Sequence, residues 1–263
     1  MKKILCLALA LVLCVCMFAG CNKSSTSDPE TDLDAIKAKG KIVIGITDYA
    51  PMDYKDENNE WTGFDAEFAR LFAEELGVEV EFIEINWDTK FLELKNGSID
   101  CIWNGMTITD EVKANTSCSN AYVRNAQVVV MSADKVDDYE SFEDMKDLTF
   151  AVEKGSAGEQ ALADLECNAD NVVAVKDQAT ALLEVNAGTV DACVIDLTMA
   201  NALAGKGNYS SLAKSIELTS EEYGVGFRTD SNLTEKFNEF LKKVKEDGTL
   251  QALAEKYELT LAD

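Results

Sequence analysis

Histidine is absent from the 263-residue chain, and arginine occurs only at Arg70, Arg124 and Arg228. The first absence excludes a Ser-His-Asp triad, a histidine general base and a histidine metal ligand. The second leaves few candidates for a bidentate clamp on an anion. Cations are scarce as a class: 24 Lys and Arg stand against 48 Asp and Glu, a net charge of −24. Nucleic acid and anionic lipid surfaces, which are held by basic patches, are therefore not expected as partners. The chain has no CxxC pair, no GK[ST] loop and no EF-hand spacing. Neither a metal nor a cofactor is expected. The longest apolar run, Ile4 to Gly20, stops just short of the roughly 18 residues that span a bilayer.

That run instead has the layout of a secretory leader: Met1-Lys2-Lys3, a short apolar stretch, then small residues. Phe18-Ala19-Gly20-Cys21 is similar to a bacterial lipobox, with Phe18 where Leu is more usual. This gives a signal peptide over 1–20, lipidation at Cys21 and a polar tether over 21–33. The mature protein is then expected outside the cytoplasmic membrane, held by its lipid alone. Beyond the leader, Cys101, Cys118, Cys167 and Cys193 remain. Cys101 and Cys193 sit in apolar strand patterns and read as buried small side chains. An oxidising compartment leaves a Cys101–Cys118 disulfide open.

With 47% hydrophobic and 27% charged residues the remainder reads as globular, and it repeats itself. Leu92-Glu93 through Gly97-Ser98-Ile99-Asp100 to Gly105 matches Leu183-Glu184 through Gly188-Thr189-Val190-Asp191 to Asp196, in one register throughout. Each copy reads as a helix end, a glycine stop and a buried strand. Strand patterns at Lys41–Ile46 and Glu79–Ile85, with an amphipathic helix at Phe64–Leu76 between them, precede the first copy. Strands at Leu148–Val152 and Val172–Val175, with a helix at Glu159–Leu165, precede the second. The tail brings a strand at Tyr223–Phe227 and helices near Leu233–Val244 and Leu250–Tyr257. The fold expected is two similar α/β lobes built on parallel strands. Lobe 1 comprises 34–125 and 222–263, lobe 2 comprises 126–221, and the segment from Asn125 to Met131 links them.

Ligands of open α/β sheets bind beyond the carboxyl ends of strands. The repeat places Gly105 and Asp196 at equivalent ends, one per lobe, facing a shared cleft. Other candidates follow strands in the same way: Tyr49, Trp87, Asn104, Thr107, Glu153, Ser156 and Ala157. Asp196 is a cap for the helix that begins at Leu197, a carboxylate aimed at a ligand cation, or both at once. Ser156 and Glu159 have capping-box spacing, and the helix start they mark either is simply capped or accepts an anion. Tyr49 and Trp87 are loop aromatics of the kind that wall small-ligand pockets. The acidic stretch Asp53–Glu60 reads as a solvated hairpin turn.

Taken in order, these residues resemble the family 3 extracellular solute-binding proteins, which serve ABC importers of polar amino acids. The matching pieces are Tyr49-Ala50-Pro51, Gly63-Phe64-Asp65, Asp100 to Thr109, Ala121-Tyr122, Gly155-Ser156, Gly188 to Asp191, Asp196, Tyr223-Gly224 and Asp247-Gly248-Thr249. The resemblance implies two lobes joined by two strands and closing on ligand. It implies that Tyr49 and Trp87 sandwich the ligand side chain. It implies that the Gly105 carbonyl, Thr107 hydroxyl and Asp196 carboxylate take an α-ammonium, while N–H groups near Ser156 and Ala157 help hold an α-carboxylate. The family usually places an arginine on that carboxylate three residues after the second Thr of its TxT element. Val112 stands there, and Arg124 is the substitute expected. Asp48, Glu153, Asp196 and the aromatics suit a cationic ligand. The function expected is a monomeric ligand-capturing subunit that delivers an amino acid or related small amine to a permease. The alternatives are a dehydratase-like enzyme on the same fold, or a sensory module without a transporter.

Overall fold

The computed structural model describes residues 31–263. The leader, Cys21 and the tether up to Glu30 lie outside the described residues. Helix α1 (Asp32–Lys39) leads into β1 (Lys41–Ile46), and the β2–β3 hairpin (Tyr54–Lys55, Trp61–Thr62) precedes α2 (Phe64–Leu76). Then come β4 (Glu79–Glu84), α3 (Lys90–Asn96), β5 (Cys101–Thr107), α4 (Asp110–Asn115), β6 (Ser117–Cys118) and β7 (Val123–Asn125). The chain continues with β8 (Gln127–Ser132), β9 (Phe150–Glu153), α5 (Ala157–Asp164), β10 (Val172–Val175), α6 (Gln178–Ala187), β11 (Ala192–Asp196) and α7 (Leu197–Leu203). It ends with β12 (Leu212–Glu217), β13 (Glu221–Phe227), α8 (Leu233–Glu246) and α9 (Thr249–Lys256). Among these residues no helix is long and apolar enough to cross a membrane.

Two sheets share one plan. The first runs β4-β1-β5-β13-β6 and the second β10-β9-β11-β8-β12. In each, the first three strands are parallel and the fourth is antiparallel to the third. β1 is buried on both faces, which is why its sequence is a continuous apolar run and does not alternate. The parallel strands read from the sequence are present in both sheets, each completed by an antiparallel strand. The physical reason is connectivity: β8 and β13 enter from the opposite lobe, so they run against their neighbours.

The repeat seen in the sequence is a repeat of structure. Gly97 and Gly188 end α3 and α6 in the left-handed region, at φ +76° and +73°. Each N–H folds back on two carbonyls of the last turn, a termination that favours glycine. The aspartate three residues later then does the same work in both lobes. Asp100 accepts the Val43 N–H at 2.8 Å, and Asp191 accepts the Thr149 N–H at 2.9 Å. Each pins the start of its strand to the strand beside it.

The α2 stripe Phe64, Phe68, Phe72 and Leu76 is buried, with Leu71 only half-buried at its edge. Phe68 meets Trp103 of β5 edge-on at 5.2 Å, and Phe237 of α8 meets the same indole at 5.0 Å. This aromatic cluster fixes β5 from behind, and β5 carries the cleft residues on its far end. Two chain crossings join the sheets, one at Ala126 between β7 and β8, the other between β12 and β13. They are tied to each other: Leu218 N–H donates to the Gln127 carbonyl at 2.7 Å and Gln127 N–H to the Thr219 hydroxyl at 2.8 Å. Cys101, Cys118, Cys167 and Cys193 are free thiols.

Candidate ligand-binding cleft

A cavity of about 410 Å³ lies between the two sheets. Of the candidates read from the sequence it brings together Tyr49, Trp87, Asn104, Gly105, Thr107, Glu153, Ser156, Ala157 and Asp196. Arg124 is not among them. Its guanidinium is half exposed and pairs with the Asp263 carboxylate, lining a different depression with Lys256 and Tyr257. The expectation that Arg124 replaces the missing arginine is corrected by this placement. β7 turns that side chain away from the cleft while its neighbour Asn125 turns inward, as alternation along a strand requires.

The wall from the first sheet is built on β5. The Asn104 carboxamide is fully engaged: its oxygen accepts from the Thr47 N–H (2.5 Å) and hydroxyl (2.7 Å), and its nitrogen donates to Asp53 at 2.9 Å. It braces the wall. Gly105 has φ +54°, and a Cβ there would come within 2.5 Å of the Tyr49 ring. Only glycine fits both the backbone and the packing. Gly105 N–H donates to Asp65 at 2.6 Å, and Tyr122 hydroxyl donates to the same oxygen at 2.9 Å. Burial raises the Asp65 carboxyl to about 7 and raises Asp53 well above the usual range, Asp53 being pushed further by the Asp65 charge.

Tyr49 is both wall and strut. Its hydroxyl meets those of Thr198 and Tyr223, each at 2.5 Å, so it reaches α7 across the cleft. Two further contacts cross between the walls. Lys90 donates to the Gly155 carbonyl at 2.8 Å, and Asp88 pairs with Lys154 at 3.0 Å. The cleft is closed in this structure.

The facing wall carries the acids. Asp196, at the end of β11, accepts at Oδ1 from Gln127 (2.9 Å), from the Tyr223 hydroxyl (2.8 Å) and from Asn125. Its Oδ2 accepts from Gln178. Asp196 stands at the cap position of α7 but its side chain makes no capping bond, so the capping alternative falls away. A carboxylate offers about four acceptor sites, and Oδ2 keeps one open. Burial, with repulsion from Glu221, raises Asp196 to about 7, against the pull of its donors. Glu153 is 3% exposed and its Oε1 has no hydrogen-bond partner. Burial and the charges of Asp196 and Asp177 raise it well above the usual range, while Lys90 opposes them. The strand read as ending at Val152 runs one residue further, which turns this carboxyl inward.

Ser156 caps α5, accepting the Glu159 N–H at 3.2 Å, and the Glu159 carboxylate folds back to the Gly155 N–H at 2.8 Å. The first N–H groups of a helix have no intrahelical acceptor; the Ser156 N–H donates to the Glu153 carbonyl at 3.2 Å, and Ala157, the first residue of α5, lines the cavity. Thr107 donates its hydroxyl proton to Glu221 at 2.8 Å and keeps its lone pairs for a donor. Sequence reasoning missed Lys90, Gln127 and Gln178 in the lining. Lys90 follows the Trp87 loop immediately, and that position was the available signal. The two glutamines gave none, since only the folded chain brings them to Asp196.

The model of the bacterial extracellular solute-binding proteins, family 3, matches residues 42–260. The L-cystine-binding protein TcyJ of Escherichia coli (strain K12) is 29% identical over 252 residues, covering 95% of this chain and 94% of that protein. A crystal structure of a mutant of ArgBP from T. maritima superposes with a TM-score of 0.81 at 33% identity, covering 86% of this chain and 99% of that one. An ancestral amino acid-binding protein, AncCDT-1, described as a precursor of cyclohexadienyl dehydratase, superposes with a TM-score of 0.80 at 33% identity, over 86% of this chain and 99% of its own. The chain belongs to the family 3 extracellular solute-binding proteins.

Proposed function

We propose that this protein captures an α-amino acid with a polar or cationic side chain outside the cytoplasmic membrane and hands it to an ABC permease. One observation carries the choice of ligand: Glu153 and Asp196, both buried, face one small polar cavity, and one Glu153 oxygen lacks any donor. A ligand ammonium or guanidinium supplies that donor and neutralises the pair. Relatives named for binding cystine and arginine make such a ligand reasonable. In this reading Tyr49 and Trp87 flank the ligand side chain. The Gly105 carbonyl, Thr107 hydroxyl and Asp196 take the α-ammonium, and the helix start at Ser156 and Ala157 meets the carboxylate.

The same reading makes residues 1–20 a leader, Cys21 the lipidated first residue and 21–33 a tether whose last residues, Asp32 and Leu33, already belong to α1, with the protein acting as a monomer. Lobe 1 (34–125 and 222–263) and lobe 2 (126–221) then close about the two crossings. Ligand that touches both lobes favours the closed state, because only differential contacts shift an equilibrium.

The experiment is calorimetric titration of the purified protein with L-arginine, L-cystine, L-histidine, L-glutamine and L-ornithine. Binding of at least one, lost in Asp196→Ala, supports the reading; an Asp196→Ala variant that binds as wild type sinks the placement of the site. The raised Glu153 carboxyl keeps a second reading in view, since a protonated acid in a cleft is what a dehydratase needs. Turnover of prephenate that disappears in Glu153→Gln would establish it, and none is expected.

A further inference from the structure

The cavity holds one cationic side chain among the described residues, Lys90, against Asp110, Glu111, Glu153, Asp164 and Asp196. That side chain is only 4% exposed. Its ammonium donates to the carbonyls of Trp87 (3.3 Å) and Gly155 (2.8 Å) and stands over the rings of Trp87 and Phe91 at 5.0 and 4.7 Å. Among the described residues no carboxylate lies within 4 Å of it. An ammonium has three donors, and two are satisfied here by neutral acceptors. Burying a charge without a counter-ion is expensive. Burial accordingly lowers the Lys90 ammonium, with Glu111 and Glu153 holding it up from further away. A lysine in this position lacks an anion.

The surroundings say where an anion would sit. Lys90 belongs to the first wall, and the carbonyl it grips is that of Gly155, the residue before the Ser156–Ala157 helix start on the second wall. The Ser156 N–H is given to the Glu153 carbonyl at 3.2 Å and the Glu159 N–H to the Ser156 hydroxyl, so the eight-residue α5 presents the Ala157 N–H, at its first turn, beside the ammonium. A carboxylate between them would be held from both walls at once. The other basic residues near the TxT element are elsewhere: Lys113 is exposed beside Asp110, and Arg124 pairs with Asp263. Val112 lines the cavity without a charge.

We infer that Lys90 is the specificity-determining cation of the cleft, binding the ligand's carboxylate together with the Ala157 N–H that opens α5. This rests on the reading of the cleft as an amino-acid site and names the group that the reading lacks. Acid pole and basic pole then select a zwitterion: Glu153 and Asp196 take the ligand's positive groups, and Lys90 takes its negative one. Because Lys90 also holds Gly155, the ligand carboxylate reinforces a contact that shuts the cleft.

The test is calorimetric titration of the purified protein and of its Lys90→Gln, Lys90→Met and Lys90→Arg variants. The probes are L-arginine, L-histidine and L-ornithine, each beside its methyl ester and its decarboxylated amine. Lys90→Gln keeps a donor for the two carbonyls but has no charge. For any amino acid that wild type binds, Lys90→Gln and Lys90→Met are expected to weaken affinity about 10- to 100-fold. The matching ester and amine should change less than about threefold, and Lys90→Arg should recover most of the loss. Equal loss for acid, ester and amine would mean that Lys90 only props the walls together, which overturns the inference and leaves the amino-acid reading intact. No loss for any probe does the same. Wild type that binds amines and esters but no amino acid contradicts both, and this appears before any variant is made. Ester binding also reports that each variant is folded.

Discussion

Asp196 and Glu221 are held by the same two donors. The side-chain amides of Asn125 and Gln127 each reach both carboxylates, Asn125 at 2.7 Å and Gln127 at 2.8 Å from Glu221. Asp196 lines the cleft and Glu221 sits where the chain crosses back from β12 to β13, so the cleft and the crossing share one polar network. After burial, the Glu221 charge is the main reason Asp196 stands as high as about 7. In Glu221→Gln the Asp196 carboxyl should therefore titrate at lower pH. The pH midpoint of ligand affinity should fall with it, measured by titration between pH 5 and 8.5. An unchanged midpoint would separate the two carboxylates.

The ligand-free protein should lose stability as pH rises through the neutral range. Asp65 and Asp196 both stand near 7 in the folded chain, and Asp53 and Glu153 are also raised. An unfolded carboxylate titrates near about 4. Between about 4 and 7 the folded state thus holds protons that the unfolded state has released, so stability falls with rising pH and levels off above about 7 for the two groups near that value. A cationic ligand lowers the Glu153 and Asp196 values, so its affinity should rise over the same window. Thermal unfolding with and without ligand at pH 5, 6, 7 and 8 checks both directions. A ligand-induced shift that is larger at pH 5 than at pH 8 would reverse the sign.

Glu153→Gln should separate stability from function. Removing a buried carboxyl that faces the charges of Asp196 and Asp177 should stabilise the ligand-free protein, and more so as pH rises. The same change should weaken binding of a cationic ligand about tenfold or more. Loss of both would mean that Glu153 supports the wall and does not face ligand.

Gly105→Ala should be among the most damaging single-methyl changes in the cleft. The residue would carry a left-handed φ of +54° and meet Tyr49 at 2.5 Å. The cost is at least about 2 kcal/mol, a fall in Tm of roughly 4–8 °C for a chain of this size. A Tm unchanged from wild type would mean that the Tyr49 wall gives way freely.

Arg124→Ala is predicted to leave ligand affinity unchanged, in contrast to the expectation from sequence. The side chain pairs with Asp263 at the surface, and exposed pairs contribute at most about 1 kcal/mol. A tenfold loss of affinity, equivalent to about 1.4 kcal/mol, would return Arg124 to the site.

What the sequence revealed and what it hid divide along a physical line. Local rules were legible: the α2 stripe, the glycine stops at 97 and 188, and the repeated aspartates that proved to do the same work at Val43 and Thr149. The repeat alone placed Gly105 and Asp196 opposite each other. The direction of β8 and β13 was hidden, because it depends on which lobe a strand arrives from. The direction of Arg124 was hidden too, since a one-residue change of phase along β7 decides whether a side chain faces in or out. Lys90 and the glutamines around Asp196 matter through burial and through partners as far as 94 residues away, which no local pattern records.

The central claim, that the closed cleft takes an α-amino acid, is tested most directly by thermal unfolding of the purified protein with each common L-amino acid, cystine, polyamines and betaines. Ligand at about 100 times its dissociation constant adds about 2.7 kcal/mol, a rise in Tm of roughly 5–10 °C. The account predicts such a rise for at least one α-amino acid and a clearly smaller one for its decarboxylated amine at the same concentration. A rise produced only by amines without a carboxylate, or by no compound that carries an α-amino acid group, would contradict it.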